Sequence, residues 1–185
     1  MSLPHAILTA LLEKPSSGLE LTRRFDMSIG YFWSATHQQI YRELGRLEQG
    51  GLIRVLPSDQ PARGQKREYE VLPAGRAELT AWVGTEQDPR IQREPLFLRL
   101  RAAAVVGTDG LLAELRRHRE LHTRQLAEYE RIQERDFAAP DPPAAQRLRY
   151  LVLKAGIGLE GHWTAWLTEA IAELEGMERD KGAPG

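Results

Sequence analysis

The stretch from Thr36 to Arg54 constrains the fold more than any other, because its hydrophobic spacing changes from that of a helix to that of a strand within a few residues. Ile40, Leu44 and Leu47 fall at i, i+4 and i+7, which places them on one helical face that must be buried. His37, Gln38, Gln39, Arg42 and Arg46 project elsewhere, with groups suited to base edges and phosphates. Gly50 and Gly51 are expected to stop the helix, since glycine takes left-handed backbone angles without steric cost. Leu52 to Leu56 then has strand composition. A polar-faced helix that ends in glycines and runs into a strand is the pattern of a recognition helix followed by a wing, so this segment points to DNA.

The flanking sequence supports that reading. Ile7, Leu8, Leu11 and Leu12 make one face of a helix over Pro4 to Glu13, which Pro15 to Gly18 closes. Ser17 or Gly18 can start a second helix through Leu19, Leu21, Thr22 and Phe25. A linker over residues 28–34 follows, and Ser34 or Thr36 is the expected N-cap of the recognition helix. Beyond the first strand, residues 57–64 are rich in Pro, Ser, Asp and Gly, and Arg67 to Leu72 alternates as a second strand, giving a hairpin with a long polar tip. Pro73 to Val83 reads as a helix with proline in its first turn, packing Ala77, Leu79 or Thr80, and Trp82 with Val83 back onto the domain. The expected fold is mainly α with a small β-wing, a winged helix-turn-helix domain over residues 1–85.

Residues 86–178 are helical in pattern and form the expected α-helical dimerisation domain. Pro95 opens a short segment through Leu96, Phe97, Leu98 and Leu100, and Thr108–Asp109 is expected to cap a longer helix reaching about Asp136. Leu111, Leu112, Leu115, Leu126, Tyr129 and Ile132 form a stripe that another helix must cover, and residues 138–143 provide the reversal. The last helix, Ala144 to Met177, carries Leu148, Leu151, Val152, Ala155, Leu159, Trp163, Trp166, Leu167, Ile171 and Leu174. That face is too broad for one partner helix, so a second copy of the chain is the expected cover. Residues 179–185 read as a flexible tail.

Composition narrows the chemistry. The 185 residues contain no cysteine, which removes disulfides, thiolate metal sites and cysteine nucleophiles. No signal-peptide pattern opens the chain and no run approaches a membrane span, so the expectation is a cytoplasmic protein without a membrane partner. The formal net charge of -1 argues mildly against nucleic acid. However, a net value averages away any local stripe, and Arg54, Arg63, Lys66 and Arg67 would form one on a projecting loop.

Several motifs, in order, resemble the PadR family of bacterial transcriptional regulators. Phe32-Trp-Ser34, Ile40-Tyr-Arg-Glu-Leu-Gly-Arg-Leu-Glu48 and Gly51-Leu-Ile53 look like its recognition-helix signature, and Tyr69-Glu-Val-Leu-Pro-Ala-Gly75 looks like its wing strand and following turn. Gly158-Leu-Glu-Gly-His-Trp-Thr-Ala-Trp-Leu167 looks like the end helix of the subgroup with a long helical carboxy-terminal domain. Pro73 stands where many members carry a threonine cap. The resemblance implies homodimers that bind operator DNA through paired winged helices and usually repress, with release by a small molecule or another signal.

The candidate DNA-binding residues are therefore Thr36, His37, Gln38, Gln39, Tyr41, Arg42 and Arg46 on the helix, with Arg63, Lys66 and Arg67 on the wing. Tyr41 can pack its ring beside Ile40 while its hydroxyl reaches a phosphate. His162, Trp163 and Trp166, with Phe97 and Trp33, could line an apolar pocket for a small aromatic or hydrophobic effector, although core or interface packing also suits these rings. His118 and His122 sit four apart, and Glu114 or Glu120 could add a carboxylate, but two imidazoles do not make a metal site; no metal or other cofactor is expected. GxSxG, Walker and GxGxxG patterns are absent, so the chain reads as a binding protein and not an enzyme. The main rival is a winged-helix protein-interaction adaptor without DNA binding, which the near-neutral charge would suit.

Overall fold

The computed structural model describes residues 3–25, 35–57, 67–89 and 93–182. Two compact units divide the chain, residues 1–89 and residues 90–185.

The first unit begins with helix α1 (Leu3–Glu13), strand β1 (Ser16–Ser17) and helix α2 (Gly18–Arg24). Ser17 caps α2 in a reciprocal box: its hydroxyl accepts from the Glu20 backbone N–H, and the Glu20 carboxylate accepts from the Ser17 backbone N–H. Helix α3 (His37–Gln49) is followed by β2 (Ile53–Val55), β3 (Glu68–Val71) and α4 (Pro73–Val83). The sheet is antiparallel with order β1-β3-β2, so β3 lies between its hairpin partner and the two-residue strand ahead of α2. Nothing in Ser16–Ser17 has the composition of a strand, and the sequence pattern gave no sign of it; its pairing with Glu68 and Tyr69 creates it.

Ile7, Leu8, Leu11, Leu21, Phe25, Ile40, Leu44, Leu47, Ile53 and Tyr69 form the buried cluster. Three of these come from α3, at the expected spacing. Gly51, with φ 67°, takes the left-handed conformation after α3, while Gly50 stays right-handed. Gly75 is buried where a β-carbon would collide with the Leu52 carbonyl oxygen, which lets α4 sit directly on the sheet. On α4, Leu79 packs against the cluster and Trp82 stacks on His5 at 4.5 Å, but Ala77, Thr80 and Val83 are exposed, contrary to the expected packing of Ala77 and Val83. The helix reaches the core through one narrow side only.

The second unit holds α5 (Pro95–Val106), α6 (Leu111–Asp136) and α7 (Ala144–Gly182). The Glu94 carboxylate caps α5 by accepting from the Leu96 backbone N–H. Thr108–Asp109 does not cap α6; left-handed Gly110 (φ 75°) does, without a side-chain hydrogen bond, and the Leu111 N–H donates to the Thr108 carbonyl to close the turn. Paired contacts run in opposite directions along α6 and α7: Arg116 with Glu175, His122 with Glu160 and Gln133 with Tyr150. The two helices are therefore antiparallel. Leu96, Leu111, Leu115, Trp163, Leu167, Ile171 and Leu174 make one buried cluster, and Tyr129, Ile132 and Leu153 are buried farther along. Helix α7 continues past Met177 to Gly182, through part of the expected tail, because no glycine or proline follows Met177 before Gly182.

Among the described residues, no helix is long and apolar enough to cross a membrane.

Candidate nucleic-acid interface

Helix α3 is held rigidly from one side. Ile40, Leu44 and Leu47 are almost wholly enclosed, while His37, Gln38, Gln39, Tyr41, Arg42 and Arg46 are exposed. Burial of three aliphatic side chains, each contributing about 1.5–3 kcal/mol, fixes which face the helix turns outward.

The start of α3 is a second reciprocal capping box. The Gln39 backbone N–H donates to the Thr36 hydroxyl at 3.3 Å, and the Thr36 backbone N–H donates to the Gln39 side-chain oxygen at 2.8 Å. Thr36 and Gln39, expected as DNA contacts, thus each have a structural duty, and the Gln39 amide oxygen is engaged before any ligand arrives. Among the described residues, Gln38 and Arg42 have no hydrogen bond or ion pair from another side chain. They are the groups best placed to exchange water for a new partner.

The other cations are less free than their number suggests. Arg46 approaches Glu43 at 3.5 Å, Arg54 pairs with Glu70 at 2.5 Å across the β2–β3 register, and Arg67 donates to both carboxylate oxygens of Glu48 at 3.0 and 3.3 Å. The Arg67 guanidinium also lies 5.8 Å from the Tyr69 ring centroid. Arg67 therefore ties the wing base to the end of α3, a connection that sequence spacing could not reveal because Glu48 lies nineteen positions away. Arg63 and Lys66, the other wing cations, lie outside the described residues.

In the second unit the structure brings together Phe97, Trp163 and Trp166. Phe97 stacks on Trp163 at 5.2 Å, and Trp166 meets both edge-on at 5.0 and 5.5 Å. Trp163 also stacks on His122 at 5.0 Å, and not on His162, which is exposed and makes none of these ring contacts. Trp33 lies outside the described residues. His122 holds the Glu160 carboxylate at 2.6 Å, and His118 lies 3.2 Å from Glu114, while Glu120 pairs with Arg124. Among the described residues no group of three or more histidines and carboxylates is arranged to hold a metal ion. Hydrogen bonding from Arg117 lowers the Glu114 carboxyl from its ordinary 4.5 to about 2, with Arg117 and His118 charges assisting. Arg116 likewise holds Glu175 below the usual carboxylate range.

Residues 7–81 match the model of the PadR-like family of transcriptional regulators, and residues 92–175 match that of the virulence activator alpha carboxy-terminal domain. The probable transcriptional regulator Rv1176c of Mycobacterium tuberculosis is 38% identical over 95% of this chain and 98% of its own length. The chain belongs to the PadR-like family of transcriptional regulators. Its carboxy-terminal match fits the PadR-like subgroup with a long helical second domain. Among solved structures, the Vibrio cholerae virulence activator AphA has a TM-score of 0.81 at 32% identity, covering 95% of this chain and 99% of that one. PadR of Bacillus subtilis, a negative transcriptional regulator, has a TM-score of 0.80 at 26% identity in its complex with operator DNA, covering 92% and 97% of the two chains. The same protein with p-coumaric acid gives 0.74 at 25% identity, covering 94% and 95%. This chain is thus a PadR-like transcriptional regulator with a winged-helix fold.

Proposed function

We propose that the chain acts in the cytoplasm as a homodimeric, operator-binding repressor, reading DNA through α3 and the wing. The observation that carries this reading is the division of α3 into a fully enclosed aliphatic face and an outer face where Gln38 and Arg42 stand without side-chain partners among the described residues. Such amide and guanidinium groups can pair bidentately with adenine and guanine in a major groove. The PadR structure with operator DNA supports the partner, and its description as a negative regulator supports repression.

Dimerisation is assigned to the second unit. Leu148, Leu151 and Leu159 on α7 are 66%, 58% and 52% exposed, an aliphatic surface that the single chain leaves to water. A second copy covering it would set the separation of the two reading helices, matched to half-sites about 34 Å apart. For the effector, the reading is a small aromatic molecule received by the aromatic faces of the Phe97, Trp163 and Trp166 cluster, and the PadR complex with p-coumaric acid supports that chemical class. Binding there would release DNA by favouring a different separation of the two copies.

The pairing of Arg46, Arg54 and Arg67 with carboxylates favours a second reading, an adaptor whose winged helix binds protein. Titration of the purified protein into the duplex upstream of its own gene separates the two. Saturable binding that competitor DNA of scrambled sequence does not relieve is the expected result; equal displacement by scrambled DNA, or no shift, leaves the adaptor.

A further inference from the structure

The start of α2, directly after β1, carries an unexplained glycine. Gly18 is the first residue of α2 and is buried, yet it is not among the glycines with positive φ, so backbone conformation does not require it. Space does. A β-carbon built on Gly18 would lie 2.5 Å from Cε1, 2.8 Å from Cζ and 3.1 Å from the hydroxyl oxygen of Tyr41. The phenol end of Tyr41 therefore occupies the volume that any other residue's side chain would fill.

Tyr41 is nevertheless 51% exposed. One side of its ring rests on Gly18 while the remainder stays open on the outer face of α3, beside Gln38 and Arg42. We infer that Gly18 is a positioning residue for DNA recognition: by lacking a side chain it makes the seat that holds the Tyr41 ring, and with it the hydroxyl, in the orientation used to contact the DNA backbone. This rests on the operator-binding reading above and adds to it the device that orders one of its contacts beforehand.

The seat is itself well anchored. Ser17 and Glu20 lock the start of α2 through their capping box, and Ser16 and Ser17 pair with Tyr69 and Glu68 of the wing strand. Gly18 thus follows residues paired with the base of the wing and begins a helix whose start is locked by its cap. An ordered tyrosine loses less rotational freedom when it meets a phosphate than one that swings in water.

Gly18→Ala should fold, because the obstructing atoms are the far end of a flexible, half-exposed side chain that can turn aside. It should unseat the ring. The test uses the full-length protein and a duplex that the wild type selects from a random library, with affinities measured for wild type, G18A, Y41F, Y41A and the G18A/Y41A double variant, alongside thermal melts. The expected result is that G18A and Y41F each weaken binding about three- to tenfold, the range set by ordering one side chain or losing one hydrogen bond. G18A should melt close to the wild type and should cost almost nothing further in the Y41A background.

An undiminished G18A effect in Y41A, wild-type affinity in G18A or Y41F, or a large fall in the G18A melting temperature would each overturn the assignment while leaving the operator reading intact. If the wild type selects no duplex, the operator reading fails and this inference fails with it.

Discussion

In the first unit each aliphatic residue of α3 faces inward, whereas α7 in the second unit turns Leu148, Leu151, Val152 and Leu159 toward solvent. The contrast separates two ways of using a helix. Helix α3 has its apolar side enclosed by α1, α2 and the sheet, so its polar side is presented in a fixed orientation. Helix α7 encloses Trp163, Leu167, Ile171 and Leu174 against α5 and α6 but leaves one face of its earlier turns, with Leu148, Leu151 and Leu159, uncovered. The proposed reading surface has a closed core beneath it, whereas the proposed assembly surface leaves apolar side chains open. The proposed dimer follows from that difference.

Core truncation should give the largest effect. Leu44→Ala, at a site only 1% exposed, should destabilise the first unit by about 2–5 kcal/mol, whereas Leu159→Ala, half exposed, should change the stability of the second unit much less when urea unfolding is followed under monomeric conditions. Similar losses at both positions would erase the contrast.

Self-association offers the next test. Leu151→Glu combined with Leu159→Glu should weaken dimerisation by at least about tenfold in sedimentation experiments, because two charges would have to be buried without partners. A smaller effect is expected on the reading face. Arg42→Ala should reduce the slope of log affinity against log salt by about one, while Arg54→Ala, whose cation already has Glu70 beside it, should change it less.

The smallest effect concerns pH. Glu114 titrates lower in the folded chain than at its ordinary value, 4.5 falling to about 2, so its contribution is complete above the ordinary value and fades as pH drops toward the folded one. Glu114→Gln should therefore flatten the acid side of the melting-temperature profile within that window and leave neutral pH nearly unchanged. A variant profile parallel to wild type across the window would remove Glu114 from the acid response.

Where local chemistry decides a boundary, the sequence was readable. Thr36 caps α3, Pro73 opens α4 and Pro95 opens α5, each because the residue satisfies or removes an end N–H that a helix cannot pair internally. Where tertiary contact decides, it was not. Strand β1 exists only through β3; at the start of α6 the reason is local instead, a left-handed turn at Gly110 that displaces the more obvious Thr108–Asp109 cap. The same holds in the candidate site. The α3 face is legible from its period, but the carboxylates that engage Arg54 and Arg67 come from other elements, so the order of charges along the chain does not reveal those pairs. Nothing in the sequence marks Gly18, because its neighbour Tyr41 is close only after folding. Of the expected effector residues, the helical repeat places Trp163 and Trp166 on one side of α7 and His162 off it, whereas Phe97 reaches them from α5 only through folding.

In the proposed dimer, the open face of the second unit determines how two copies of the first unit meet DNA. This dependence is tested most directly by measuring the affinity and stoichiometry of the full-length protein on its selected duplex and on the same duplex with about five base pairs inserted between half-sites, half a helical turn. Two chains per duplex and a loss of at least about tenfold on insertion are predicted, since the second recognition helix would face the wrong side of the DNA. One chain per duplex, or equal affinity for both duplexes, would contradict it.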